Sequence, residues 1–319
     1  MDQRKITDFF EQKSLHGQDL ARAFNVILEQ SAEKGVPPCP ECFAVGAVPD
    51  GFMNFKRLPG VKVKLFTCKF CWRRFREDWL PIKSHGLAEQ VCLILTMVEC
   101  GAGVSDISKA LRSLSRELGW IVPLSKSSVL RIIQLTSEVL RGMERQLFRG
   151  LECEKIVAFT VKRRRAGGSF HIALAVDERS ACWLEAKPLF NKSANTFAEE
   201  LARKVKPRKI AVSPVLAEAI KRAFPDSSIH VLESELISEG RRAVVPIVKR
   251  AKRVVKKNTS YFSEESVDAL LTITRAHYNF LGKKNPPARS IGISLPRLLR
   301  GWRDLLRYAA YVQKLGKQT

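Results

Sequence analysis

Acidic side chains are scarce in this 319-residue sequence: 32 Asp and Glu stand against 55 Lys and Arg, a formal net charge of +23. An excess that large says little about fold but favours a polyanionic partner, most often nucleic acid. Long apolar runs are missing too. The longest, around residues 91–98, falls far short of the ~20 residues that span a bilayer. The first residues include Asp2, Arg4 and Lys5 and lack the apolar core of an export signal. A cytoplasmic protein with no membrane partner is therefore expected. Disorder is excluded in turn, because 45% of the residues are hydrophobic, enough to bury real cores. The length favours two or three domains.

Four of the eight cysteines fall in two Cys-x-x-Cys pairs, Cys39/Cys42 and Cys68/Cys71, with residues 43–67 between them. Each pair offers two soft donors from one tight turn, and two turns complete a tetrahedral zinc site. This spacing reads as one structural Zn²⁺ in a reducing compartment, not as a disulfide framework. A helix is expected over 18–34, and β-compatible pieces such as 61–67 between the pairs, with Gly51 and Pro59-Gly60 as turns. Trp72-Arg73-Arg74-Phe75-Arg76 interleaves cations and aromatics, as nucleic-acid contact surfaces do; it equally suits the last strand of a ribbon. Arg73 and Arg74 are candidate DNA contacts. Cys92, Cys100, Cys153 and Cys182 stand alone and are expected to be buried.

Residues 87–100 have helical periodicity and stop at Gly101. A second helix follows, with Ser105 as its expected cap, and a third is capped by Ser125 and runs to about 148. That order suits a helix-turn-helix, in which the start of the last helix meets base edges and short hydroxyls and cations reach phosphates. Lys126, Ser127, Ser128 and Arg131 are the candidate DNA contacts there. An ordinary helical bundle linking two domains is the plainer alternative.

Beyond residue 155 the periodicity changes. Strands are expected over 155–162, 169–176 and 182–189, then a helix (194–205), a strand (209–212), a helix (215–224) and a strand (229–232). Three meandering strands followed by alternating helix and strand describe an RNase H-like α/β fold. The whole is an α+β multidomain chain: a tail (1–17), a helix with a zinc ribbon (18–80), a helical domain (81–150), the RNase H-like domain (151–290) and a C-terminal amphipathic helix (291–319).

The order of parts, together with Arg275-Ala-His-Tyr-Asn-Phe280 before Pro286-Pro287, resembles a DDE-class transposase of a bacterial or archaeal insertion sequence over roughly residues 36–293. The resemblance implies two-metal phosphoryl transfer by three carboxylates: one Asp mid-way along the first strand, one just after the fourth, and a Glu on a later helix. Here the first strand reads Ile156-Val-Ala-Phe-Thr-Val161, and Ser213-Pro214 stands after the fourth. No acid occurs between Glu154 and Asp177. Glu239 is the candidate for the third position, and a displaced triad would have to draw on Asp177, Glu233 or Glu235, and Glu239. Without the first two carboxylates hard Mg²⁺ has too few oxygen ligands, so the expectation is a protein with no catalytic residue.

What remains is charge and one short peptide. Lys162, Arg163, Arg164 and Arg165 follow the first strand. Residues 241–257 hold eight cations and no acid, among them Lys249, Arg250, Lys252 and Arg253. These are candidate backbone contacts of a salt-dependent DNA surface. Residues 295–315 read as a helix with Leu298, Leu299, Trp302, Leu305, Leu306 and Val312 on one side and Arg297, Arg300, Arg303 and Arg307 on the other; it packs on the core or pairs with a second copy. At the N-terminus Gln3, Ile6, Phe9 and Phe10 have the spacing of a one-turn apolar plug. They resemble a PIP box, the peptide that docks replication and repair proteins on the sliding clamp PCNA, which implies an archaeal or eukaryotic host. The combined expectation is a domesticated archaeal transposase relative that binds zinc, DNA (duplex or branched) and PCNA, nucleoid-associated, in replication, repair or chromosome maintenance. An active transposase with displaced acids and an RNA-binding or transcription-related ribbon protein are the alternatives.

Overall fold

The computed structural model describes residues 17–55, 58–82, 87–165, 168–190, 193–232, 241–256, 263–282, 285–293, 295–297 and 299–315. Gln3, Ile6, Phe9 and Phe10 lie outside them, as do Glu233, Glu235 and Glu239. Helix α1 (Gly17–Lys34) leads into a small antiparallel sheet of β1 (Ala47–Asn54), β2 (Lys62–Cys68) and β3 (Arg74–Arg76). Gly51, expected at a turn, sits inside β1 at φ +80°, where the register shifts between Pro49 and Phe52. It makes a bulge, because only a residue without Cβ takes that backbone freely.

Three helices follow: α2 (Ala88–Glu99), α3 (Val104–Glu117) and α4 (Lys126–Leu147). Helix α3 starts two residues earlier than expected, with extended Gly103 as its cap and Ser105 in its first turn. Burial of Val104, Ile107 and Leu111 fixes that start. Helix α4 opens on Ser125, whose Oγ accepts from the Ser128 N–H at 3.2 Å, as its sequence implies.

Among the described residues the second sheet has five strands in the order β6-β5-β4-β7-β8: β4 (Leu151–Arg165), β5 (Gly168–Asp177), β6 (Trp183–Leu189), β7 (Val205–Val212) and β8 (Ser228–Val231). The first three form an antiparallel meander, and β7 and β8 run parallel to β4. This mixed sheet is consistent with an RNase H-like fold. Helices α5 (Ser193–Ala202) and α6 (Pro214–Ala223) make the crossovers. The expected helix over 194–205 ends at Ala202, and β7 starts at Val205, not 209, since β4 itself begins at Leu151 and pairs with Val205. Central strand residues Ile156 to Phe159 are buried on both faces, the pattern of a sheet covered on two sides.

Helix α7 (Arg241–Lys256) lays Val244, Ile247, Ala251 and Val255 on one face of the sheet. Helix α8 (Glu264–Ala276) is buried from Ser266 to Ala276 and continues as a π turn, His277–Leu281. A helix buried all round must hide its hydroxyls, and Thr272 and Thr274 do so by bonding back to the Asp268 and Leu270 carbonyls, both at 2.9 Å. After a short turn α9 (Pro287–Ser290), helix α10 runs Trp302–Leu315. It does not begin at 295: Pro296 and Gly301 precede it, and neither favours a helix interior. Its Tyr308 and Tyr311 rings pack at 5.2 Å on Phe24 of α1, so the C-terminal helix closes on the core. Arg307, expected outward, is buried beneath Trp79 and donates from Nη2 to the Glu77 carbonyl at 3.0 Å. Cys153 and Cys182 are buried as expected, whereas Cys92 is half-buried and Cys100 exposed at the end of α2. Among the described residues no helix is long and apolar enough to cross a membrane.

Candidate metal centre and nucleic-acid surface

The sulfurs of Cys39, Cys42, Cys68 and Cys71 lie within 4.8 Å of one another, with Cys39–Cys71 at 3.5 Å and Cys42–Cys68 at 3.6 Å. A tetrahedral ion with 2.3 Å bonds to sulfur needs ligands about 3.8 Å apart, so the four thiols fit one such ion. The two turns that present them are built alike. The N–H of Phe43 donates to the Cys39 carbonyl (2.9 Å) and that of Trp72 to the Cys68 carbonyl (3.1 Å). The N–H groups of Glu41 and Phe70 each lie 3.4 Å from a cysteine sulfur. Crowded this way, the thiols do not share protons evenly: hydrogen bonding from Cys42 pulls the Cys39 thiol down to about 5, while the same contact pushes Cys42 up. Trp79 closes the module on itself, its indole N–H donating to the Pro38 carbonyl at 2.7 Å.

Arg73 and Arg74 leave the second turn on the exposed surface. Arg74 is held by Asp50, its Nε 2.7 Å from the carboxylate and Nη2 3.0 Å from the carbonyl. Arg74–Arg76 form the module's last strand, with Phe75 buried against Phe66.

Lys126, Ser127 and Arg131 are exposed, and Ser128 is half-buried, at the start of α4. The loop before them is clamped from behind. Gln90 donates to the Val122 carbonyl (2.6 Å) and accepts from its N–H (3.2 Å), and Ser108 donates to the Leu124 carbonyl (2.7 Å). The far end of the same helix is buried at Leu140, Met143 and Glu144. One rod thus joins the displayed cations to the interior.

That interior holds a charge cluster that sequence reasoning misses. Arg275 of α8 donates from Nε to Glu144 Oε1 at 3.1 Å, from Nη2 to Glu144 Oε2, and from Nη1 to Glu185 Oε1. Lys204 reaches Glu185 Oε2 at 2.6 Å and lies 3.7 Å from Glu144. Two acids and two bases balance, as a buried ionic group requires. Burial alone would raise the Glu185 carboxyl, but Arg275 and Lys204 override it and hold it at about 2. Beside the cluster, Asn279 brackets Trp183, accepting from its N–H (3.0 Å) and donating to its carbonyl (2.8 Å). The string 275–280 is therefore the seam between α8 and β6. A signal was present: Glu185 stands in the otherwise largely apolar strand β6.

At the centre of the sheet the Ser213 N–H donates to the Ala158 carbonyl at 2.9 Å. The two segments set against the resemblance's Asp positions, Ile156–Val161 and Ser213-Pro214, thus meet at this bond. Ser213 is buried and its Oγ has no hydrogen-bond partner among the described residues. Asp177, expected in the turn after the second strand, is instead the buried last residue of β5, paired with Ile156, and its carboxylate accepts from Ser180 N–H (2.8 Å) and Oγ (2.6 Å) in the turn that follows. It closes that turn.

Of the remaining cations, Lys162 is exposed, and Arg163 is half-buried with an enclosed Nε. Arg164 and Arg165 are described only as the end of β4. On α7, Lys249, Lys252 and Arg253 face outward. Arg250, expected among them, turns inward: it lies over the Tyr278 ring at 5.4 Å and donates to Glu99 at 3.3 Å. Glu99 also faces His277 Nδ1 at 3.4 Å. Burial lowers the His277 pKa, with Glu99 pulling the other way.

No family model matches the chain, and no curated protein matches it. Among the solved structures that match is the catalytic core domain of BIV integrase, at 12% identity, covering 42% of this chain and 91% of that one, with a TM-score of 0.30. By itself a likeness at that score decides nothing.

Proposed function

We propose that this chain is a zinc-containing DNA-binding protein on a transposase-like frame, which binds without cutting and docks on PCNA through its first residues. The juxtaposition of Ala158 and Ser213 carries the reading: side by side at the sheet centre, neither segment has a side-chain carboxylate for the first two metal-ligand positions. Asp177, paired with Ile156 on the neighbouring strand, is engaged by Ser180. The cysteine cluster acts as a structural Zn²⁺ site with a zinc-ribbon module around it. Helices α2 to α4 act as the helix-turn-helix, with Lys126, Ser127, Ser128 and Arg131 toward DNA and Lys162, Lys249, Lys252 and Arg253 along the phosphate backbone. Gln3, Ile6, Phe9 and Phe10 form the clamp-binding plug.

Incubating the zinc-loaded protein with end-labelled duplex and branched DNA in Mg²⁺ or Mn²⁺ tests the reading. Binding without strand cleavage is expected. Metal-dependent nicking or strand transfer would overturn it in favour of an enzyme with displaced acids, and tighter binding to structured RNA than to DNA at one salt concentration would move it to the RNA class.

A further inference from the structure

The two cysteine turns share one backbone and differ in what they do with the next residue. Phe43 and Trp72 each follow the second cysteine of a pair, and both are left-handed, at φ 55° and 59°. A bulky side chain in that region is a marked outlier, and glycine would make the same turn without strain. At Phe43 burial offsets the strain: the ring is 5% exposed and packs edge-on against Tyr311 (5.1 Å) and Trp79 (6.0 Å). At Trp72 no comparable packing offsets it among the described residues. The indole is 78% exposed, and Phe70, two residues before it, is 48% exposed. Folding gains nothing from placing the largest side chain in a strained position in water. Backbone strain kept without a packing reason points to function.

The surroundings state the chemistry. Lys69, Arg73 and Arg74 are exposed beside the two rings. One edge of the Phe70 ring rests against the chain at Gly46, where an added Cβ would come within 2.3 Å of it. Aromatic faces interleaved with cations match a polyanion that also offers flat apolar surfaces, namely nucleic acid. In a continuous duplex those surfaces are already stacked on each other, and a protein meets phosphates and groove edges instead. A protruding indole finds a face only on an unpaired base.

We propose that Trp72, with Phe70 beside it, is a stacking platform for an unpaired base, so that the surface around Cys68–Cys71 takes a single-stranded segment, a frayed end or a branch. This rests on the DNA-binding reading and narrows its substrate class. Lys69, Arg73 and Arg74 hold the phosphates on either side of the stacked base.

The test uses the full-length, metal-loaded protein and compares a labelled oligothymidylate with a blunt duplex of equal length at one salt concentration. Trp72→Gly suits the left-handed position, so it should keep the metal content and should not lower the Tm. It should weaken oligothymidylate binding about tenfold, within the range measured for base–aromatic stacking, and leave duplex affinity within about twofold. Trp72→Phe should restore most of the loss, and the quenching of tryptophan emission by oligothymidylate should fade in both variants. Equal loss on both nucleic acids, or none on the single strand, overturns the stacking proposal. So does a Trp72→Gly protein that loses self-association or clamp binding instead, which would make the indole a protein contact. A wild-type protein that binds duplex but not single strands sinks this proposal alone; one that binds neither sinks the DNA-binding reading with it.

Discussion

Arg275 grips Glu144 with two parallel bonds, Nε to Oε1 at 3.1 Å and Nη2 to Oε2, across 131 positions of sequence. The pair joins the far end of α4 to α8, and Arg141 adds a second tie to Asp268 at 2.9 Å. The displayed start of α4 is thereby coupled to the sheet domain through one rigid helix.

Removing one partner should therefore be felt globally. Glu144→Ala leaves Arg275 with Glu185 alone and Lys204 short of a neighbour, and breaking a buried ion pair typically loses about 3–5 kcal/mol. Urea unfolding should show the drop as a lower midpoint with an unchanged slope. Replacing Glu144, Glu185, Lys204 and Arg275 together with apolar residues of similar volume should recover most of it, because the net contribution of a desolvated pair over apolar packing is small. A Glu144→Ala protein as stable as wild type would show that water, not Arg275, satisfies the site.

The same cluster sets an acid limit. Glu185 is held at about 2, below its ordinary 4.5. Its depressed value means the unfolded chain takes up the proton first. The stabilisation is complete above about pH 4.5 and is lost as pH falls through about 2. Unfolding midpoints measured between pH 6 and 2 should fall through that window. Glu185→Gln, less stable at neutral pH, should show a shallower decline there.

Metal removal should act locally first. In so small a module the free energy of zinc binding is folding free energy, so Cys39→Ser or a strong chelator should unfold the segment between α1 and α2. Emission of Trp72 and Trp79 should change before that of Trp183, which is fully buried in β6. Elemental analysis should give one zinc per chain, and purified protein without it would end the ribbon reading.

How much of this could be read from sequence follows from distance along the chain. The cysteine turns, the Ser125 cap and the succession of strands and helices after residue 150 depend on neighbours within a few residues or on a repeating pattern, and they were legible. Arg307 and Arg250 were not. Helical periodicity sends every cation to the solvent side, but Arg307 spends its donors on the carbonyls of Glu77 and Trp79, 230 and 228 positions away, and Arg250 finds Glu99 across 151. Glu185 and Lys204 are partners across 19 residues and two elements. Trp72 was visible as part of a mixed string, while its left-handed backbone and exposure emerged only with the fold.

Two cationic surfaces should behave differently toward DNA. Changing Lys249, Lys252 and Arg253 together to Gln should weaken every duplex alike and flatten the dependence of log Kd on log salt by roughly one unit for each phosphate no longer neutralised. Changing Lys126 and Arg131 should instead reduce the preference among sequences if α4 acts as the proposed recognition helix, whose start would read base edges. Because Arg250 is already committed to Glu99, Arg250→Gln should lower stability more than it lowers DNA affinity. Anisotropy titrations at several salt concentrations separate the three. A slope that does not change when the α7 cations are removed would leave that helix as plain solvated surface.

The proposed clamp peptide makes the last prediction. Ile6, Phe9 and Phe10 fall at i, i+3 and i+4, a spacing that a helical turn formed on the clamp would gather into one apolar plug. Buried aromatic anchors of this kind each lose on the order of 2 kcal/mol or more when truncated. Phe9→Ala with Phe10→Ala should therefore lower affinity for the host's PCNA at least ~100-fold, since ~1.4 kcal/mol is tenfold. A peptide of residues 1–15 should bind the clamp alone but only in the micromolar range at best, as it must lose chain entropy on ordering. DNA binding by the doubly substituted protein should be unchanged, because the plug and the cationic surfaces are separate in sequence. Titration calorimetry of the peptide against PCNA decides between two roles for the same rings: heat that a known clamp ligand competes away assigns them to the clamp, and no heat leaves Phe9 and Phe10 as packing for this chain.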